Sequence, residues 1–151
     1  MGFFDKIKSM TNAITGGAAK VDVDVRDFSH DKPFTVVVHA LSKGAVVKYD
    51  KVYLLIEGVE EVSVPGSEVK TAGENQKAQD VSVTSSTLQM EVIVAPAGSL
   101  DANASGEWTT QVTLPTTAQP VFSGKHAKYY YRVQAALDCF GNDPDSGWKR
   151  I

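Results

Sequence analysis

Between Lys125 and Cys139 the chain alternates too regularly to serve as anything but a strand. Tyr129, Tyr131, Val133, Ala135 and Leu137 stand two residues apart, which puts them on one side of an extended backbone and would scatter them around a helix. The same period governs much of the chain. Val21, Val23 and Val25 alternate with Asp22, Asp24 and Arg26. Phe34 to Leu41 is dense in β-branched residues. Val46 to Val64 reads as a strand and its continuation, with Gly58 marking a bulge or bend. Val81 to Val94 follows, with Leu88, Met90, Val92 and Val94 on one side and Gln89, Glu91 and Ile93 on the other. Glu107 to Leu114 places Trp108, Thr110, Val112 and Leu114 together, and Trp148 to Ile151 begins a last strand.

Turn chemistry separates these runs. Ser29-His30-Asp31-Lys32-Pro33, Lys43-Gly44, Pro65-Gly66 and Asn142-Asp143-Pro144-Asp145-Ser146-Gly147 all carry residues that favour reversal. Residues 66–80, Pro96 to Ser105 and Pro115 to Gly124 read as loops. Seven or so short strands between turn signals predict an all-β, immunoglobulin-like antiparallel sandwich. The front of the chain differs. Phe3, Ile7, Met10 and Ile14 recur at helical spacing, and Gly16-Gly17 ends the run. The expected organisation is an amphipathic helix and glycine hinge over 1–17, then one sandwich domain over 18–151.

With 151 residues and a formal charge of −3, the chain suits one domain and lacks the basic excess that phosphate backbones attract. Nucleic acid is therefore not an expected partner. Cys139 is the sole cysteine, so no internal disulfide is possible, and it reads as a small buried residue near a strand end. No apolar run approaches the ~20 residues of a membrane span. The N-terminus lacks a secretory core, and Lys6 stands where a myristoylation motif wants Ser or Thr. A cytoplasmic protein is the simplest expectation.

Candidate chemistry is sparse. Asp143 and Asp145 flank one residue ahead of Gly147, a string that either wraps a calcium ion or forms a plain turn. His30, His39 and His126 are scattered, and no set of three or four metal ligands converges in sequence. There is no Gly-x-Ser-x-Gly elbow and no glycine-rich loop before a helix, so neither a catalytic residue nor a cofactor is expected. Asn103-Ala104-Ser105 matches a glycosylation sequon that a cytoplasmic protein would not use. Tyr130 faces away from Tyr129 and Tyr131, as an interface anchor or as cover for a core edge. Phe3, Phe4, Ile7 and Met10 are further candidates for partner binding or for docking on the protein itself.

Gly2-Phe3-Phe4-Asp5-Lys6-Ile7 with Gly17-Ala18-Ala19-Lys20-Val21-Asp22, then Tyr129-Tyr130-Tyr131-Arg132-Val133-Gln134-Ala135-Ala136-Leu137-Asp138 after Ser123-Gly124, then Asp143-Pro144-Asp145, form an ordered series. It resembles the bacterial sporulation-control proteins of the arrestin-like superfamily. The resemblance implies an arrestin N-domain sandwich acting as an adaptor or regulator through its surfaces, with no catalytic residues to transfer. It also implies a second sandwich domain in most members, so the chain is expected to be a single-domain relative or an N-domain alone. The expected partner is a protein or another copy, engaged through sheet edges or the N-terminal helix. The alternative is a calcium-dependent binding module built on Asp143 and Asp145.

Overall fold

The computed structural model describes residues 17–69 and 78–151. The helix expected over 1–17 and the tip of the loop expected over 66–80 lie outside the described residues. Eight strands run in order: β1 (Ala19–Arg26), β2 (Phe34–Ser42), β3 (Val47–Val64), β4 (Val81–Leu100), β5 (Ser105–Val112), β6 (Phe122–Ser123), β7 (Ala127–Leu137) and β8 (Lys149–Arg150). One sheet has the order β1-β2-β5; the other has the order β4-β3-β7-β6, with β8 also on β7. Their strand ladders are antiparallel throughout. The fold is the expected all-β sandwich.

Alternation builds the core. Val21, Val23, Val36, Val38, Ala40 and Val112 of the smaller sheet face Val52, Leu54, Ile56, Tyr131, Val133, Ala135 and Leu137 of the larger. Tyr131 is wholly buried, and its hydroxyl donates to the Gln119 carbonyl at 2.7 Å. That bond satisfies a polar atom the core would otherwise strand. Phe28 closes on Phe34 and Tyr131 with ring centroids 5.1 and 5.4 Å away. Beside β1, Lys149 donates from Nζ to the Val23 carbonyl at 2.9 Å and ties β8 across to the smaller sheet.

Three expectations need correction. β4 does not stop at Val94 but continues through Pro96 to Leu100, pairing Val47↔Leu100 and Lys51↔Pro96. Proline is tolerated because β4 is an edge strand and can leave a donor out of the ladder. The connection after Leu114 contains β6, whose Phe122 pairs Tyr129; two residues are too few to show a period. The strand through Cys139 ends at Leu137, and Cys139 is half-buried rather than buried. Burial, then the nearby Asp143, pushes its thiol up from the usual range.

Gly58 does mark an irregularity. The β3–β4 register shifts between Val52 and Tyr53 and again between Gly58 and Val59, leaving Val94 and Thr87 of β4 as extra residues. At Gly58 a side chain would meet the Tyr129 hydroxyl at 2.1 Å. The tyrosine lies across the glycine, and its hydroxyl reaches the bulged Thr87 Oγ1 at 3.0 Å.

Candidate interaction surfaces

β4 borders the larger sheet and pairs with β3 alone among the described residues. Edges of this length invite pairing with other chains, and proteins blunt them with bulges, prolines and charge. Here Thr87 and Val94 bulge and Pro96 follows, so the regular stretch between these devices is Leu88–Ile93, registered against Gly58–Tyr53. Within it Leu88, Met90 and Val92 turn inward and pack on the core. Ile93 points outward and is 65% exposed. A shallow depression of about 250 Å³ adjoins this stretch, lined by Leu55, Ile56, Glu57, Gln89, Met90 and Glu91. The arrangement offers backbone groups without a further strand partner among the described residues, a small recess of mixed polarity and an exposed isoleucine within one strand of edge.

The outer face of the larger sheet is different in character. Arg132 Nη2 sits 2.6 Å from Glu57 Oε2, and Lys128 Nζ 2.9 Å from Glu61 Oε1. The Arg132 guanidinium covers the Trp148 ring at 4.5 Å, and Arg150 covers Tyr130 at 4.2 Å. Tyr130 therefore lies on the outer face, as alternation requires, but as a half-buried ring beneath an arginine.

The turn carrying Asp143 and Asp145 is held by internal bonds. Asp143 accepts from the Tyr53 hydroxyl at 2.7 Å and from the Cys139 amide at 3.0 Å. Asp145 accepts from the Gly147 amide at 2.7 Å, and its backbone bridges Ala136. Among the described residues no group of three His, Cys, Asp or Glu side chains is placed to hold a metal ion. His126 Nε2 and Lys125 Nζ both meet Glu68 Oε2, at 2.8 and 2.7 Å, and join the short 3-10 turn Gly66–Glu68 to the β6–β7 hairpin. Lys125, followed by His126, lowers the Glu68 carboxyl below its ordinary range.

His39 points away from Val38 and Ala40, as its place in the alternation requires, yet it is 5% exposed. Its cross-strand neighbours are Asp22 on β1 and Glu107 on β5, with Nδ1 3.3 Å from Glu107 Oε2. Sequence reasoning had no reason to bury it, because alternation assigns a face and is silent on what covers that face. Phe3, Phe4, Ile7 and Met10 lie outside the described residues. No described helix is long and apolar enough to cross a membrane.

Two antiparallel sheets packed face to face define a two-sheet β-sandwich. The crystal structure of Spo0M, a sporulation control protein from Bacillus subtilis, is similar to it, with a TM-score of 0.60 and 17% sequence identity. The similarity covers 89% of this chain and 49% of that one, so this chain spans about half the length of the protein it matches. At this identity the likeness establishes the fold. No family model and no curated protein sequence matches the chain.

Proposed function

We propose that this chain is a non-catalytic adaptor or regulatory protein of the cytoplasm that binds other proteins, using the Leu88–Ile93 edge of β4 as its docking strand. The observation that carries the reading is the edge itself: a regular stretch left open between two bulges of β4. A partner segment laid alongside would gain main-chain hydrogen bonds from the edge and specificity from alternate side chains. Ile93 supplies the apolar contact that such recognition needs. The likeness to a sporulation control protein supports a regulatory role.

The test is photo-crosslinking in the native cell, with the reactive side chain placed in turn at Gln89, Glu91 and Ile93, and at exposed Lys48 as the control. The reading expects one polypeptide captured at the three β4 positions and not at the control. An equal or empty pattern at all four positions contradicts it.

A further inference from the structure

Charge, bulges, proline and shortness are the devices that keep a sheet edge from pairing with another chain. β1 is crossed by Lys149, which donates to the Val23 carbonyl at 2.9 Å, and its outer row holds Lys20, Asp22, Asp24 and Arg26. β4 has two bulges and Pro96, and β6 and β8 are two residues long. β5 is nearly bare of such devices. It borders the smaller sheet and pairs with β2 alone among the described residues, from Phe34↔Val112 to Leu41↔Ser105 without a shift. It holds no proline, lysine or arginine, and Glu107 is its one charge. Just past this ladder the Ser42 amide donates to the Ala104 carbonyl at 2.9 Å, and on the other side of β2 the Lys43 amide donates to the Ala18 carbonyl at 3.1 Å. Bonded and non-bonded pairs alternate along an antiparallel ladder, so even-numbered residues of β2 and β5 bond one another. Gly106, Trp108, Thr110 and Val112 therefore turn their backbone groups to β2. Glu107, Thr109 and Gln111 turn theirs outward from the edge, and their side chains are exposed.

We infer that β5 is the self-association edge of this protein, pairing antiparallel with β5 of a second copy about a two-fold axis at Thr109. The two smaller sheets then join into one, in the order β1-β2-β5 and its mirror sequence β5-β2-β1. The occupant follows from self-complementarity. Centred on Thr109, the pair sets outward-turned backbone against outward-turned backbone along its length. Thr109 meets its own copy, a β-branched pair that sheets favour, and each Trp108 meets Thr110 of the other chain. Each Glu107 meets Gln111. The Gln111 Nε2 donates to Thr35 Oγ1 at 2.8 Å and has a second N–H to give the opposite carboxylate. A centre at Glu107 would set two carboxylates face to face, and one at Gln111 would bring Pro115 into the ladder. Centres one residue to either side of Thr109 leave each Glu107 opposite a threonine. This edge is separate from the Leu88–Ile93 stretch of β4, so the two readings stand or fall independently.

Sedimentation equilibrium of the full chain over a range of concentrations tests this, with circular dichroism as the check on folding. The wild type should pass from monomer to dimer. T109P removes the two main-chain hydrogen bonds at the axis, one from each chain, and spares the β2 ladder because that amide points outward. Its dissociation constant should rise about tenfold or more, whereas T109A, which keeps both bonds, should stay within about twofold of the wild type. A wild type that is monomeric throughout, or a folded T109P that dimerises as the wild type does, would overturn the inference. Should T109P fail to fold, oxidation decides. In a C139S background T109C should form a disulfide between two copies, since Cα atoms of a bonded antiparallel pair stand about 5.5 Å apart, and I93C on β4 should not. Equal yields at the two positions, or none at T109C, would also overturn it.

Discussion

Replacing Gly58 with alanine would set a methyl group 2.1 Å from the Tyr129 hydroxyl oxygen and 3.0 Å from ring carbon Cζ. Overpacking of this kind costs about 1–3 kcal/mol, which urea denaturation resolves. Y129F in the same chain should return part of the loss, because it removes the nearer clash and leaves the ring; additive effects of the two changes would contradict the contact. Tyr53 gives a second prediction. Burial, then its bond to Asp143, raises its hydroxyl well above the usual tyrosine range. A group whose proton is held more tightly in the folded state stabilises fully below its unfolded value, and that stability is lost as pH rises towards the folded one. Stability should therefore fall above about pH 10, less steeply in Y53F; Tyr131, also raised by burial, keeps part of the slope. Since Asp143 already accepts two hydrogen bonds, added calcium should leave the melting temperature of the wild type unchanged. A calcium-dependent rise abolished by D143N/D145N would revive the binding-module alternative.

At the scale of elements, the bulges in β4 carry the argument. Deleting Val94 removes one extra residue and straightens the ladder where Val52 gives way to Tyr53. A longer flat edge should then pair with itself, raising the concentration-dependent sedimentation mass relative to the wild type; a deletion variant that keeps the wild-type mass would show that the bulge protects nothing. The strands themselves were largely legible. Tyr129, Tyr131, Val133, Ala135 and Leu137 share the buried face that their spacing requires, and Gly58 sits at a register shift as a glycine within a strand should. The misses have a common cause. Phe122–Ser123 is a strand because Tyr129 and Lys128 lie beside it, and Pro96 stays in β4 because no further strand is paired beyond it. Both depend on neighbours distant in sequence, which local periodicity does not record.

For the molecule as a whole, the same limit applies to function. Which strand ends a sheet is a property of topology, so the Leu88–Ile93 edge could not be picked out from alternation, which runs as cleanly through β4 as through the flanked strand β3. The sites that residue types suggested fared differently: Asp143 and Asp145 serve a bonded turn, and Tyr130 lies under Arg150. What remains is a sandwich whose β4 border pairs with β3 alone among the described residues, and a binding role proposed for that border. Residue-resolved amide hydrogen exchange of the free protein tests that openness most directly. In an edge strand, alternate amides point to the partner strand and the others to solvent. The account predicts alternation across Leu88–Ile93, slow amides bonded to β3 and fast ones between them. Uniform protection along this stretch would mean that the edge is already covered, and would contradict the claim that it is the docking strand.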